Sequence, residues 1–147
     1  GYVSEPAKIR WIDGAIEAVR AINDAGYFVF VVTNQAGIAR GYYDSQKVTS
    51  LHLWMQDVLR ENGAHVDRFY FCPHHPDFGA TCACRKPKPG LILQAFSEWP
   101  ITRSGSFLIG DRQSDMDAAI SAGLVGHRFT GVSLLDFVLP FLTKTSK

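Results

Sequence analysis

What this chain does without narrows the field first. No apolar run approaches the roughly 20 residues that a bilayer-spanning helix needs. The opening residues lack the basic-then-apolar form of a secretory leader, so neither a membrane-embedded nor an exported protein is expected. An excess of one charge is missing too: Lys and Arg number 15 and Asp and Glu 14, a net +1 interspersed along the chain. That balance provides no field for nucleic acid or an anionic membrane. Cysteine is scarce. The three present form an odd set confined to one stretch, which argues against a disulfide framework and for a reducing compartment, the cytoplasm. Internal repeats, low-complexity tracts and linkers are absent. The 147 residues suffice for one domain, 1–147, with a full core, expected as a monomer.

What is there centres on Cys72-Pro73-His74-His75-Pro76 and Cys82-Ala83-Cys84-Arg85-Lys86-Pro87. Three thiolates and one imidazole match a closed tetrahedral Zn2+ site, structural because no position is left for a catalytic water. Cys72, His74, Cys82 and Cys84 are the expected ligands, with His74 preferred to His75, in a loop spanning 72–86. Free cysteines are often small buried hydrophobes instead. Here Pro73, Pro76, Pro87, Pro89 and Gly79 weigh against any helix or strand in which they could be buried.

The rest alternates helix and strand. Asp13 is the expected N-cap of a helix with the apolar stripe Ala15, Ile16, Val19 and Ile22, closed by Gly26. Tyr27 to Val32 is a continuous apolar run of the kind that a parallel strand covered on both faces requires. Ser45 caps a helix with the stripe Val48, Leu51, Met55 and Val58, stopped near Gly63, and Trp54 reads as core. Phe69 to Phe71 makes a short strand, and Pro89 fits the first turn of a helix carrying Leu91, Ile92, Ala95 and Phe96. Ser106 to Ile109 is a buried strand, followed by a helix from Ser114 to Ala122, a strand from Leu124 to Phe129 and a helix from Leu134 to Leu142. This alternation calls for an α/β fold: a parallel sheet with right-handed crossovers and helices on both faces. Ligands gather at the carboxyl ends of such strands, which puts Thr33, the cysteine loop and Asp111 on one rim.

The chemistry on that rim suits a phosphate. Thr33 and Asn34 offer a hydroxyl, an amide and backbone N–H groups, although a turn role would use the same atoms. Arg85 and Lys86 supply a forked and a point cation, stiffened by flanking prolines. Asp111 and Asp115, in Gly110-Asp111-x-x-x-Asp115, are carboxylates of the type that Mg2+ prefers. Asp117 reads better as a charge favoured by a helix N-terminus.

Thr33-Asn34-Gln35-Ala36-Gly37-Ile38-Ala39-Arg40-Gly41, the two cysteine blocks and Gly110-Asp111-Arg112, in this order, resemble the haloacid dehalogenase superfamily of phosphatases. Within it they resemble the histidinol-phosphatase-like branch. The resemblance runs from Gly1 to about Phe129. It implies a three-layer Rossmann-like parallel sheet with no separate cap domain. It implies that Thr33 hydrogen-bonds the phosphoryl group, that Asn34 and Arg85 bind substrate, and that Lys86 neutralises nucleophile and phosphate. Asp111 would hold a catalytic Mg2+ with Asp115 in support, and Zn2+ would be structural. The implied substrate is a small phosphorylated sugar, D-glycero-D-manno-heptose 1,7-bisphosphate, losing its 7-phosphate on the route to lipopolysaccharide or S-layer heptose. Histidinol phosphate is the alternative substrate. A non-catalytic zinc-stabilised module that binds a phospho-ligand or a partner is the alternative of another class.

One departure stands out. The family's first motif, Asp-x-Asp on the first strand, supplies the nucleophile and the general acid/base, and this sequence has no such segment before Gly1-Tyr2-Val3. Asp115-Met116-Asp117 has the letters in the wrong motif. In the implied fold the missing strand is the central one, between the strands ending at Thr33 and at Asp111. Orphaned buried backbone groups cost about 1–3 kcal/mol each, against a domain stability of about 5–15 kcal/mol. The expectation is therefore that the natural protein extends upstream, and that the chain as written is inactive.

Overall fold

The structure, a computed structural model, describes residues 13–34, 45–72 and 86–142. In chain order the elements are α1 (Ala15–Asp24), β1 (Phe30–Asn34), α2 (Ser45–Glu61), β2 (Arg68–Cys72), α3 (Gly90–Glu98), β3 (Phe107–Gly110), α4 (Gln113–Ser121), β4 (Val125–Arg128) and α5 (Leu134–Val138). A 3-10 turn, Leu139–Phe141, follows. This is the expected α/β alternation. No helix among the described residues is long and apolar enough to cross a membrane.

Alternating side chains build the layers around the first strand pair. β1 and β2 run parallel, with Phe30 opposite Arg68 and Asn34 opposite Cys72. On one face Val29, Val31 and Phe69 pack with Ile16 and Val19 of α1, with Leu59 of α2, and with Ala64 and Val66 in the segment after it. On the other face Phe30, Val32, Tyr70 and Cys72 pack with Leu91 and Ala95 of α3. The period of two in the strands meets the 3.6-residue stripe of each helix, giving helix, sheet and helix. α1 ends as expected: Gly26 takes a left-handed φ of 90°, with Gly26 N–H on Asn23 O at 2.9 Å and Tyr27 N–H on Ile22 O at 3.2 Å.

The second pair is smaller. β3 and β4 run parallel, with Phe107 opposite Val125 and Gly110 opposite Arg128. α4 covers them through small residues: Ala118 and Ala122 pack with Leu108 and Leu124, and Met116 and Ala119 lie against Gly126, where no side chain intervenes. Ile92 and Phe96 of α3 join this cluster, so α3 serves both strand pairs.

The two pairs are separate sheets, in the orders β1-β2 and β3-β4. Between β1 and β3 lies a cavity of about 820 Å3, lined by both strands, by Val19 and Ile22 of α1, and by Ile92 and Phe96 of α3.

Three boundaries differ from expectation. Asp13 is not the N-cap of α1. Gly14 holds that position with φ 76° and no side-chain cap, while Asp13 O accepts Leu134 N–H at 2.8 Å. β1 begins at Phe30 rather than Tyr27, because the preceding Val29 exchanges its backbone bonds with Asp67: its N–H goes to Asp67 Oδ2 at 2.7 Å, and its carbonyl takes Asp67 N–H. The last helix stops at Val138, with Pro140 inside the 3-10 turn where an α-helix would need its N–H.

Candidate active site

Lys86 joins the carboxyl ends of β1 and β3. Its Nζ donates to Val32 O at 3.5 Å, next to Thr33, and forms an ion pair with Asp115 Oδ1 at 2.6 Å. The two side chains are only 17% and 8% exposed, so the charges are held largely out of water. A pair desolvated to that degree is weak evidence for stability; what it does is fix the ammonium at one point between the two sheets.

Asp115 is held from below as well. It lies in the first turn of α4, and its Oδ2 accepts Arg112 N–H at 3.2 Å, the acidic half of a capping box on a favourable helix dipole. Gly110 makes the room: a Cβ there would stand 2.4 Å from Asp115 Cβ. Asp111, at the end of β3, is exposed, with no hydrogen bond or ion pair among the described residues. Gln113 Nε2 donates to Asp117 Oδ1 at 2.9 Å, so Asp117 is spent on the exposed face of α4.

Thr33 is half-buried near the end of β1, in register with Phe71. Asn34 pairs through its backbone with Cys72; its side chain lies outside the described residues, as do His74, His75, Cys82, Cys84, Arg85 and the Gly37–Gly41 segment. Cys72 departs from the expectation of free thiols: it is fully buried at the end of β2 and disulfide-bonded, and a disulfide sulfur offers no thiolate to Zn2+. Among the described residues no group of three or more His, Cys, Asp or Glu side chains is arranged to hold a metal. Asp111 and Asp115 nevertheless fit Mg2+, which takes one or two carboxylates and completes its shell with phosphate oxygens and waters.

The sequence reading missed two features. It did not couple Asp115 to Lys86, although the spacing Asp111-x-x-x-Asp115 already put the second carboxylate at the start of the helix that follows the first. Nor did it single out His52, buried on α2 and stacked on Phe69 with ring centroids 4.5 Å apart. Burial pushes the His52 pKa below its ordinary value. In the core beneath the site, burial and then the hydrogen bond from its hydroxyl to Glu98 push the Tyr70 pKa up.

Comparison with known proteins follows the same lines. Residues 83–127 match a family model described as HAD-hydrolase-like. The chain is 42% identical, over 99% of its length and 84% of the relative's, to D-glycero-beta-D-manno-heptose-1,7-bisphosphate 7-phosphatase of Rhodopseudomonas palustris. It is 44% identical to the enzyme of the same name from Yersinia pestis, over 84% of this chain and 69% of that one. In three dimensions it superimposes on D,D-heptose 1,7-bisphosphate phosphatase from B. bronchiseptica, crystallised with magnesium and phosphate. The TM-score is 0.78 at 34% identity, covering 85% of this chain and 69% of that one.

Proposed function

This chain belongs to the haloacid dehalogenase superfamily of phosphatases, and we propose that it removes the 7-phosphate of D-glycero-D-manno-heptose 1,7-bisphosphate. The observation that carries the reading is Lys86, a nearly buried cation fixed 3.5 Å from Val32 O and 2.6 Å from Asp115. The phosphoryl group is taken to sit at that point. Lys86 offsets its charge, Thr33 donates a hydrogen bond to it, and Asn34 and Arg85 bind the rest of the substrate. Asp111 and Asp115 are the residues that hold Mg2+, which when bound supplies further positive charge against the phosphate oxygens.

The nucleophile and the acid/base are assigned to an Asp-x-Asp segment upstream of Gly1, reaching the site through the gap between β1 and β3. The first aspartate attacks phosphorus to give an aspartyl-phosphate and the free sugar hydroxyl. The second protonates the leaving oxygen and then activates water, which releases inorganic phosphate. We further propose that the enzyme works as a cytoplasmic monomer. In that compartment glutathione and thioredoxin keep thiols reduced. Only the reduced chain could hold Zn2+ at Cys72, His74, Cys82 and Cys84, since the disulfide and a thiolate ligand exclude one another at Cys72.

Histidinol phosphate hydrolysis and a purely binding role draw no support from the relatives. The deciding experiment compares hydrolysis of heptose 1,7-bisphosphate and histidinol phosphate by the protein with its natural upstream residues. Faster turnover of histidinol phosphate, or none of either, would overturn the reading.

A further inference from the structure

Two arginines near the sheets are spent on the fold. Arg68 of β2 pairs with Glu98 at 3.1 Å and lies over the Tyr70 ring. Arg103 donates to Ala122 O and lies over the Phe96 ring. Arg128 is different. It is exposed and has no ion pair among the described residues, and its Nη1 reaches only the neutral Gln113 Oε1, at 3.5 Å. The place of this unmatched charge matters. Arg128 ends β4 in register with Gly110, and the next residue, Phe129, donates its N–H to Gly110 O at 2.7 Å. It therefore stands on the carboxyl-end rim, one strand spacing of about 4.8 Å beyond the strand that delivers Asp111. Gln113 lies two residues past Asp111, at most about 7 Å along the chain. Arg112, also exposed, directly follows Asp111, and Arg128 is the cation further out. On the other side of the rim β1 and β2 end in the uncharged Thr33-Asn34 and Cys72. Lys86, between the two sides, is already matched by Asp115 at 2.6 Å.

A sugar phosphorylated at both ends brings a second phosphate, with up to about two negative charges, away from the reacting one. A guanidinium with no carboxylate partner offers the two parallel N–H donors that such a group accepts. We propose that Arg128 binds the phosphate that is not removed and so selects a bisphosphate over a monophosphate. The proposal rests on the function proposed above and deepens it. With the 7-phosphate at Lys86, the 1-phosphate lies outward, past Asp111 and against the end of β4. That contact is the same before and during phosphoryl transfer, so it acts on KM rather than on kcat. It also separates the two substrates compared above. Histidinol phosphate carries a cationic amine in place of the second anion, and Arg128 repels the one and attracts the other.

The test uses the protein with its natural upstream residues and two sugars, heptose 1,7-bisphosphate and heptose 7-phosphate. In the unaltered protein kcat/KM should favour the bisphosphate about tenfold or more. Arg128→Gln should lower that ratio about tenfold, through KM. Arg128→Lys should recover part of the loss, because the charge returns without the fork. Arg128 is exposed, so neither substitution touches the core; Tm checks this. Added salt should raise KM for the bisphosphate more in the unaltered protein than in Arg128→Gln. A role confined to positioning Gln113 and α4 would slow both sugars alike and leave the ratio where it was, which would overturn the proposal. So would an unaltered protein that does not distinguish the sugars, or a loss lying in kcat alone. Turnover of neither sugar would overturn this proposal together with the reading beneath it. Turnover of the bisphosphate with a ratio indifferent to Arg128 would overturn this proposal and leave that reading standing.

Discussion

The two strand pairs are built from different materials. Around β1 and β2 the fully buried side chains are large, Leu59, Val48 and Cys72, and a polar network closes the edge. There the Tyr70 hydroxyl donates to Glu98, Trp99 Nε1 donates to Tyr70 Oη at 3.1 Å, and Arg68 pairs with Glu98 at 3.1 Å. Around β3 and β4 the buried residues of α4 are Asp115 and alanines, and glycines at 110 and 126 let α4 lie close to the strands. The first pair brings Thr33 and a carbonyl to the rim, and the second brings both carboxylates. No ladder among the described residues links them. Among the described residues they are joined by α3, with Leu91 and Ala95 in one core and Ile92 in the other, by the Lys86–Asp115 pair, by the edge-to-face rings of Tyr27 and Phe107, and by α1 seated on α5. A site assembled from two halves is adjusted by the joints, and the joints can be tested.

The largest expected effect is at the charged joint. In the protein with its upstream residues, Lys86→Ala should lower kcat by roughly 10²–10³-fold. Unchanged kcat would remove Lys86 from the proposed mechanism. Ile92→Ala should cost about 2–5 kcal/mol in urea unfolding and loosen β3–β4 amides before β1–β2 amides. Uniform loosening would mean that the halves behave as one core. Gly110→Ala pushes a methyl onto Asp115 and should cost about 1–3 kcal/mol, read as a lowered Tm. Tyr70→Phe, confined to the first half, removes the hydrogen bond to Glu98 and the one accepted from Trp99 Nε1, and should cost about 1–2 kcal/mol.

The smallest expected effect is one of pH. The His52 pKa is lowered by burial in the folded chain, so below about 6.5 the unfolded state binds the extra proton and the folded state resists it. Stability should be unaffected by His52 above that pH and fall as the solution is acidified through it. Urea midpoints at pH 7 and 5 measure the fall, and His52→Phe should flatten it.

Much of this was legible in the sequence, for physical reasons. Phe30-Val31-Val32 and Phe69-Tyr70-Phe71 declare strands covered on both faces because neither face carries a charge. Gly26, Gly63 and Gly123 mark helix ends because each takes a left-handed φ. The rim was legible because Thr33 and Asp111 end apolar strands. His52 was not, since its burial comes from Phe69 and Phe71 on another element rather than from α2's own stripe. The Lys86–Asp115 bond was not either: spacing shows that Asp115 opens the helix after Asp111, but not which cation the fold brings across. The state of Cys72 escapes the sequence because thiol, thiolate and disulfide share one letter.

The contact between Asp13 and Leu134 bears on how the polypeptide comes off the ribosome. Leu134 N–H bonds Asp13 O at 2.8 Å, and Gly14 lies so close to Ser133 and Leu135 that a Cβ there would meet Ser133 Oγ at 2.7 Å. The earliest described helix is thus seated on one of the latest synthesised. During vectorial synthesis α1 emerges long before its seat exists, and its docking waits until the segment around Leu134 has cleared the exit tunnel. Nascent chains stalled before that point should leave Asp13–Asp24 open to protease, and chains stalled well after it should not.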